Sequence, residues 1–339
     1  MRIATFLLAA ILVATACGDG SPSTTTAGEV VSTTSTTMAA PTSAAPDGVP
    51  LRGFSLSPRS TAEEDFTGFF ETASRAGDLV ARVGDIAELR DPESGVAVVD
   101  ALAERYDYLS VPIVGVARTE DGAPLRPLDP ATVTDYVDDV LAYAAEEEPA
   151  YLGLGVEVDT QWRTHPEDFE AFVGLFAEVA AAIDEVSPGT RLLTVFQLER
   201  LSGQGGPIGV DPEPDWDLID RFPGADVIGF TTYPGLAFPS PETIPDDYYA
   251  EIAAHVDGRP VAFTEMGWQA AGSAGEYAGS PEDQAAFLER FDALIADLEV
   301  AFYVWSFLYD QPAPEPFDTM GLFDVDGDPR PAWEVWQDD

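Results

Sequence analysis

Short apolar runs alternate with longer amphipathic stretches along most of the chain. The runs are rich in β-branched and aromatic residues, as expected of strands that are buried on both faces. The predicted strands cover residues 51–56, 79–83, 108–114, 150–156, 191–197, 226–231, 260–264 and 300–305. Between them, apolar residues recur three and four positions apart, which is typical of one face of a helix. This order predicts parallel strands that are joined by crossover helices.

Start signals mark several of the predicted helices. Asp129-Pro130 and Ser280-Pro281 each put a capping side chain directly before a proline, a residue that favours the first helical position. A dinucleotide-binding sheet would need a glycine-rich turn after its first strand, and residues 53–58 offer none. Eight strand–helix units instead match a closed barrel. We therefore predict an α/β fold, a single (β/α)8 TIM barrel over residues 49–339.

The N-terminal residues predict an export signal. Arg2 precedes an apolar run that ends at residue 16, which is too short to span a bilayer and is typical of a signal peptide. Cys17 follows this run and precedes Gly18, which resembles the bacterial lipobox, although Ala14 stands where leucine is usual. The resemblance implies that Cys17 is lipidated and becomes the mature N-terminus. Plain secretion, with Cys17 in the discarded peptide, is the alternative.

Residues 17–48 have a composition unlike the rest of the chain. They are almost wholly serine, threonine, alanine, glycine and proline. Such a segment has too little apolar surface to offset the entropy of ordering, so it predicts a flexible linker. The sequence thus predicts a folded domain that a linker tethers to the outer face of the cell membrane, or that is secreted if Cys17 is not lipidated.

The charge of the chain restricts its partners. There are 61 acidic residues against 16 basic ones, no lysine, and a formal net charge of −45. Such a field repels nucleic acid, anionic lipid headgroups and polyuronates, so it favours a neutral partner. Solubility in salt explains the same acidic surface without any electrostatic function. We expect a monomer that binds a neutral glycan and no nucleic acid.

Two glutamates follow predicted strands at positions where barrel enzymes carry their chemistry. Active sites of these barrels lie at the C-terminal ends of the strands. Predicted strand four leads into Glu157 and predicted strand seven into Glu265, and these ends face one another across the barrel mouth. Glycoside hydrolysis uses such a pair, one carboxyl to protonate the leaving oxygen and one to attack or to activate water. Asp159 is a rival for the acid role.

Four segments carry a family resemblance. They are Gly155-Val156-Glu157, residues 226–230 leading to Tyr233, Thr264-Glu265-Met266-Gly267-Trp268, and Trp305 followed by Met320-Gly321-Leu322-Phe323, Gly327 and Pro331-Ala332-Trp333. In this order they resemble glycoside hydrolase clan A, the retaining (β/α)8 glycosidases, and within it the arabinogalactan endo-galactanase type. The resemblance implies Glu265 as nucleophile and Glu157 as acid/base. It also implies Tyr233 as the hydroxyl that orients the nucleophile and Trp305 as the floor on which a sugar stacks.

One residue departs from the clan pattern. Members of the clan usually carry asparagine directly before the acid/base, where its amide bonds the 2-hydroxyl of the sugar, and this chain has Val156. That contact strengthens in the transition state. Its loss leaves three alternatives open: another glycan, another donor such as Gln197, or weak catalysis.

Further side chains are candidates for substrate contacts. Trp162 and Trp268 follow predicted strands four and seven, and indole rings offer an apolar face to sugar C–H groups. Arg82 could bond the nucleophile, or it could form a structural ion pair. The only histidines, His165 and His255, are far apart in the sequence. The sequence therefore favours neither a zinc site nor a Ser-His-Asp triad, and we predict no metal and no cofactor.

The leading hypothesis is a metal-independent retaining glycosidase that acts on a neutral β-linked polysaccharide or oligosaccharide. A tethered carbohydrate-binding protein with weak or no catalysis is the alternative, because of Val156 and the predicted anchor. A two-lobed solute receptor would share the anchor but would need two domains, which the single barrel disfavours.

Overall fold

A computed structural model describes residues 49–119, 123–204, 213–272 and 279–338. The predicted signal segment, Cys17 and the linker over residues 17–48 lie outside these described residues. Within them, none of the helices is both long enough and apolar enough to span a membrane.

Eight parallel strands close into a barrel, with β8 paired to β1. The strands are β1 (Leu51–Ser55), β2 (Leu79–Asp85), β3 (Leu109–Gly115), β4 (Tyr151–Leu154), β5 (Arg191–Gln197), β6 (Val227–Thr232), β7 (Val261–Met266) and β8 (Val300–Trp305). The predicted (β/α)8 barrel is therefore confirmed. Each observed strand overlaps a predicted one, and the ends differ by at most two residues; β4, for example, stops before residue 155.

Helices surround the barrel. They are α1 (Glu63–Ala73), α2 (Gly95–Arg105), α3 (Pro130–Glu147), α4 (Val158–Thr164), α5 (Pro166–Val186), α6 (Leu198–Leu201), α7 (Pro281–Ile295) and α8 (Pro331–Asp338). The predicted caps of α3 and α7 are present: Asp129 accepts from the first backbone N–H groups of α3, and Ser280 accepts from Asp283. Between β6 and β7, the described chain forms only short 3-10 helices where an α-helix is usual.

Side chains that alternate along the strands enter two separate cores. The inner core fills the barrel, where the rings of Tyr151 and Phe302 meet edge to face at 5.0 Å. The outer core lies between strands and helices and holds most of the buried aromatic side chains. On β8, Val304 belongs to the inner core, whereas Tyr303 and Trp305 belong to the outer one. A strand has a side-chain period of two, so this alternation fixes which β8 residues can reach the barrel axis.

Candidate active site

Glu157 lies in a tight turn rather than on an extension of β4. Gly155 has a φ of +83°, and a Cβ at this position would come within 2.5 Å of Val158 and 2.7 Å of Phe172. Only glycine fits such a position without strain. Glu157 itself has a φ of +47° and directly precedes α4. Left-handed backbone is uncommon for a residue with a side chain, and such residues cluster at functional sites.

Glu265 lies near the end of β7 and is partly buried. The Tyr233 hydroxyl donates a 2.6 Å hydrogen bond to its Oε2. That hydroxyl also lies 3.1 Å from the Ser306 hydroxyl, which donates to the backbone carbonyl of Met266. The ring of Tyr233 is held against Phe317 at a centroid distance of 5.0 Å. The donor to Glu265 is therefore fixed by both bonding and packing.

A single threonine links the two glutamates. Thr231 on β6 is the register partner of Glu265 on β7, just past a shift in the β6–β7 register. Its hydroxyl donates a 2.9 Å hydrogen bond to Oε1 of Glu157. The structure thus brings Glu157 and Glu265 to the same end of the barrel, where both are neighbours of Thr231 and the charge of Glu265 acts on Glu157.

The environment of Glu157 favours its protonated form. The pKa of this carboxyl is raised from its ordinary 4.5 to about 8, chiefly by burial. The negative charges of Asp159 and Glu265 contribute to the same increase. The Arg200 guanidinium and the Thr231 hydrogen bond oppose them without reversing the shift. Glu157 can therefore hold a proton near neutral pH.

The environment of Glu265 differs in the hydrogen bond that it receives and in the charges nearby. Burial raises the pKa of this carboxyl as well, but the Tyr233 hydroxyl donates to it and favours the ionised form. Glu157 receives a longer hydroxyl bond and faces two negative charges. Two carboxyls whose surroundings differ in this way can divide the roles of acid and nucleophile.

The rival acid Asp159 lies in the first turn of α4 and is fully buried. Its Oδ1 accepts a 2.9 Å bond from the backbone N–H of Gln197 on β5. Burial raises the pKa of Asp159 to about 6. Asp159 is thus held against β5, and its negative charge raises the pKa of Glu157.

Gln197, the candidate substitute for the missing asparagine, is bonded within the protein through both ends of its amide. Its Oε1 accepts from the backbone N–H of Arg200, which caps α6, and its Nε2 donates to Glu199. The side chain is almost fully buried. Both ends of the amide are thus bonded to residues of α6.

Trp305 and Trp268 occupy core positions instead of the predicted platform positions. Both are fully buried, and both rings pack against Phe287 of α7, at 6.2 and 5.5 Å. The Trp305 indole N–H donates to the carbonyl of Met320. A ring with no exposed face cannot stack on a sugar. Trp162 on α4 keeps an exposed part, and its platform role stays a prediction.

Arg82 forms the structural ion pair, which was the alternative to a bond with the nucleophile. Its guanidinium lies 2.7 Å from Glu88, and a Cβ added to Gly84 or Gly95 would collide with it. Its neighbour Val83 packs on the inner core, so Arg82 points to the outer side of β2.

Sequence reasoning missed three polar residues of this site: Thr231, Ser306 and Glu199. Thr231 donates a hydrogen bond to Glu157, and the Ser306 hydroxyl contacts the Tyr233 hydroxyl. Glu199 accepts from the backbone N–H of Tyr233. Each lies at or just after the end of a barrel strand, the position used to choose Glu157 and Glu265, so the same signal could have found them.

Comparisons with known proteins identify the fold. No family model matches the sequence, and no curated protein matches it. Among solved structures, the GH5_18 protein from Streptomyces cattleya in complex with GlcNAc has a TM-score of 0.64 at 17% identity, covering 85% of this chain and 79% of that one. The GH53 catalytic domain from Ignisphaera aggregans has a TM-score of 0.59 at 14% identity, covering 88% and 99%.

A third structure extends the comparison. The exo-β-1,4-mannosidase from Opitutaceae bacterium strain TAV5 has a TM-score of 0.59 at 16% identity, covering 86% of this chain and 58% of that one. The resemblance to the clan A barrel glycosidases, the galactanase family included, is thus confirmed at the level of the fold.

Proposed function

We propose that this protein is a retaining glycoside hydrolase that cleaves a neutral β-linked polysaccharide or oligosaccharide. One observation carries the proposal: Glu157 and Glu265 flank Thr231 at one end of the barrel, where the surroundings favour a proton on Glu157 and the Tyr233 hydroxyl donates a hydrogen bond to Glu265. Such a pair fits the two carboxyl roles of glycoside hydrolysis.

The mechanism follows from the two environments. Ionised Glu265 attacks the anomeric carbon while Glu157 donates its proton to the leaving oxygen, so the glycosidic bond breaks and a glycosyl ester of Glu265 forms. Glu157, now ionised, takes a proton from water, and the hydroxide oxygen displaces Glu265 from the sugar. The Tyr233 hydroxyl orients the nucleophile throughout. Two displacements at one carbon retain the anomeric configuration.

The substrate class rests on charge and on the similar structures. A net charge of −45 disfavours an anionic glycan. Two GH5_18 proteins, from Bifidobacterium longum and from Streptomyces cattleya, are solved in complex with Manβ1-4GlcNAc, a neutral β-linked disaccharide. Neutral β-linked glycans are therefore the first substrates to test.

Covalent trapping tests the proposal. A panel of activated 2-deoxy-2-fluoro-β-glycosides should label the protein with one sugar, because the fluorine slows the second displacement. Peptide mass spectrometry should find the sugar ester on Glu265, and NMR of early products should show the β-anomer. A label on another residue, or an inverted product, contradicts the assignment. Glycans that bind and are never cleaved would support the carbohydrate-binding alternative.

Val156→Asn should raise the activity of the enzyme. Val156 is partly exposed above the inner core and directly precedes Glu157, where an amide could reach the sugar 2-hydroxyl. Since the contact contributes several kcal/mol in related enzymes, we expect kcat/KM to rise about tenfold or more. Val156→Thr, of similar shape without an amide, serves as the control. An equal gain on a 2-deoxy glycoside would show that the 2-hydroxyl is not involved.

We also propose that the enzyme acts outside the cell membrane, anchored through a lipid on Cys17 and extended by the linker over residues 17–48. The proposal rests on the signal-like run and the lipobox-like sequence. A tethered enzyme would release sugars next to the cell that takes them up.

A further inference from the structure

Glu199 is a fully buried carboxylate that the mechanism above does not use. It lies in the first turn of α6, directly after β5, and has no exposed surface. None of the ion pairs formed within the described ranges includes it. Burial raises its pKa. A buried charge without a cation is costly unless hydrogen bonds hold it, so its surroundings decide what it does.

Four donors converge on this carboxylate. Oε1 accepts from the Thr232 hydroxyl at 2.8 Å, the Tyr248 hydroxyl at 2.9 Å and the Tyr233 backbone N–H at 3.0 Å. Oε2 accepts from the side-chain amide of Gln197. The two N–H groups can only donate, so both oxygens act as acceptors, as in an ionised carboxylate.

Two of these donors, Thr232 and Tyr233, belong to the segment at the end of β6 that also contacts both proposed catalytic groups. Three consecutive residues at the end of β6 contact three glutamates. Thr231 donates to Glu157, Thr232 donates to Glu199, and Tyr233 donates through its backbone to Glu199 and through its hydroxyl to Glu265.

The backbone pairing of β6 with its neighbouring strands ends before Tyr233. Pairing of β6 with β5 stops at Thr231, and pairing with β7 shifts in register just before Thr231 and stops at Thr232. Tyr233 therefore lies beyond the ladder on both sides, and Glu199 accepts the N–H that a neighbouring strand would otherwise accept.

We infer that Glu199 is a positioning residue that fixes the end of β6 and so aims Thr231 at the acid and Tyr233 at the nucleophile. The inference rests on the proposed function for its catalytic consequence. The structural part of the inference is that Glu199 holds the Tyr233–Glu265 hydrogen bond in place. This part can be tested even if the protein has no catalytic activity.

Glu199→Gln tests the inference, with Asp100→Asn as the matched control. Glutamine keeps the size of the side chain but turns one acceptor oxygen into a donor, so at least one N–H loses its partner. Asp100 on α2 is also a carboxylate held by two hydroxyls, Ser110 at 2.5 Å and Tyr143 at 2.8 Å, but its contacts lie outside the proposed site. Both variants should lose stability to urea.

Only Glu199→Gln should lower kcat, by roughly 10²-fold with KM nearly unchanged, because misplaced groups cost rate rather than binding. Tyr233→Phe should lower kcat much less in the Glu199→Gln background than in wild type, since the Tyr233 hydroxyl is then already displaced from Glu265. Independent effects of the two changes, or equal kcat losses in Glu199→Gln and Asp100→Asn, overturn the inference.

Two further measurements cover the remaining outcomes. If Glu199→Gln does not fold, Tyr248→Phe removes one donor, leaves the carboxylate and should lower kcat several-fold; an unchanged kcat counts against the inference. If wild type hydrolyses no glycoside, the proposed function fails and crystal structures decide the positioning role. Loss of the Tyr233–Glu265 bond in Glu199→Gln but not in Asp100→Asn supports the inference, and its retention in both overturns it.

Discussion

Glu265→Gln is expected to reduce turnover on the order of 10⁴-fold or more while the fold stays intact. An amide is a poor nucleophile, and the glycosyl ester of the first displacement cannot form on it. Glutamine keeps the size of the side chain and an oxygen that can accept from the Tyr233 hydroxyl at the same position. The barrel should therefore close around it as in wild type.

The measurement is the initial rate on the best substrate of a β-glycoside panel, together with near-ultraviolet circular dichroism. Glu251→Gln is the matched control, because Glu251 is an exposed glutamate on a short 3-10 helix between β6 and β7. It should keep the wild-type rate. Undiminished hydrolysis by Glu265→Gln would remove this residue from the mechanism.

Glu157→Gln should lose about 10²- to 10⁴-fold in turnover, with a size that depends on the leaving group. A glutamine cannot protonate the departing oxygen, so substrates with alkyl or sugar leaving groups should suffer most. Aryl glycosides with acidic phenols need little protonation, and their first displacement should remain fast. An equal loss on both kinds of substrate would assign Glu157 some role other than the acid.

The pH profile distinguishes the roles further. Wild-type kcat/KM should fall at high pH with a midpoint near 8, where Glu157 loses its proton. The limb at low pH should reflect protonation of Glu265. In Glu157→Gln the high-pH limb should vanish while the low-pH limb persists. A high-pH limb that survives the substitution belongs to another group.

A measurement of folding stability checks the raised pKa of Glu157 without any substrate. The folded state holds the Glu157 proton up to about pH 8, whereas the unfolded chain releases it near 4.5. The folded state thus binds more protons in this window, so the stability from this group is complete below pH 4.5 and is lost as the pH rises to 8. Glu157→Gln should therefore resist urea better than wild type at high pH, with little difference at about pH 4. An equal gain at both pH values would point to packing instead.

The strands and the order of the glutamates were predictable because both follow from local patterns. Residues 191–197 and 300–305 match β5 and β8, since an apolar run between turn-forming residues leaves little choice of secondary structure. Glu265 follows from the same rule, because it comes at the end of such a run. At β4 the rule was less accurate, because Gly155 takes a left-handed conformation and ends the strand early.

The aromatic platforms were not predictable in the same way. Trp305 and Trp268 follow apolar runs just as the glutamates do, yet both rings turn toward Phe287 and the outer core. Which face of the sheet a residue takes depends on the phase of the alternation at the strand end. On β8 this phase puts Val304 in the inner core and Trp305 in the outer one, and before Trp268 the β7 register shifts against both neighbours. Bulges of this kind change the direction of a side chain without leaving a mark in the sequence.

The order of amino acids alone thus predicts a closed eight-stranded barrel and puts a glutamate directly after the fourth and the seventh predicted strands. Hydrophobic periodicity suffices for this, because each strand and helix is specified by residues close to it in the chain. The link through Thr231, the burial of Glu199 and the outward turn of Arg82 and Trp305 come only from the tertiary structure. These features depend on contacts between distant segments, and no local pattern encodes which partner a buried polar or aromatic side chain will meet.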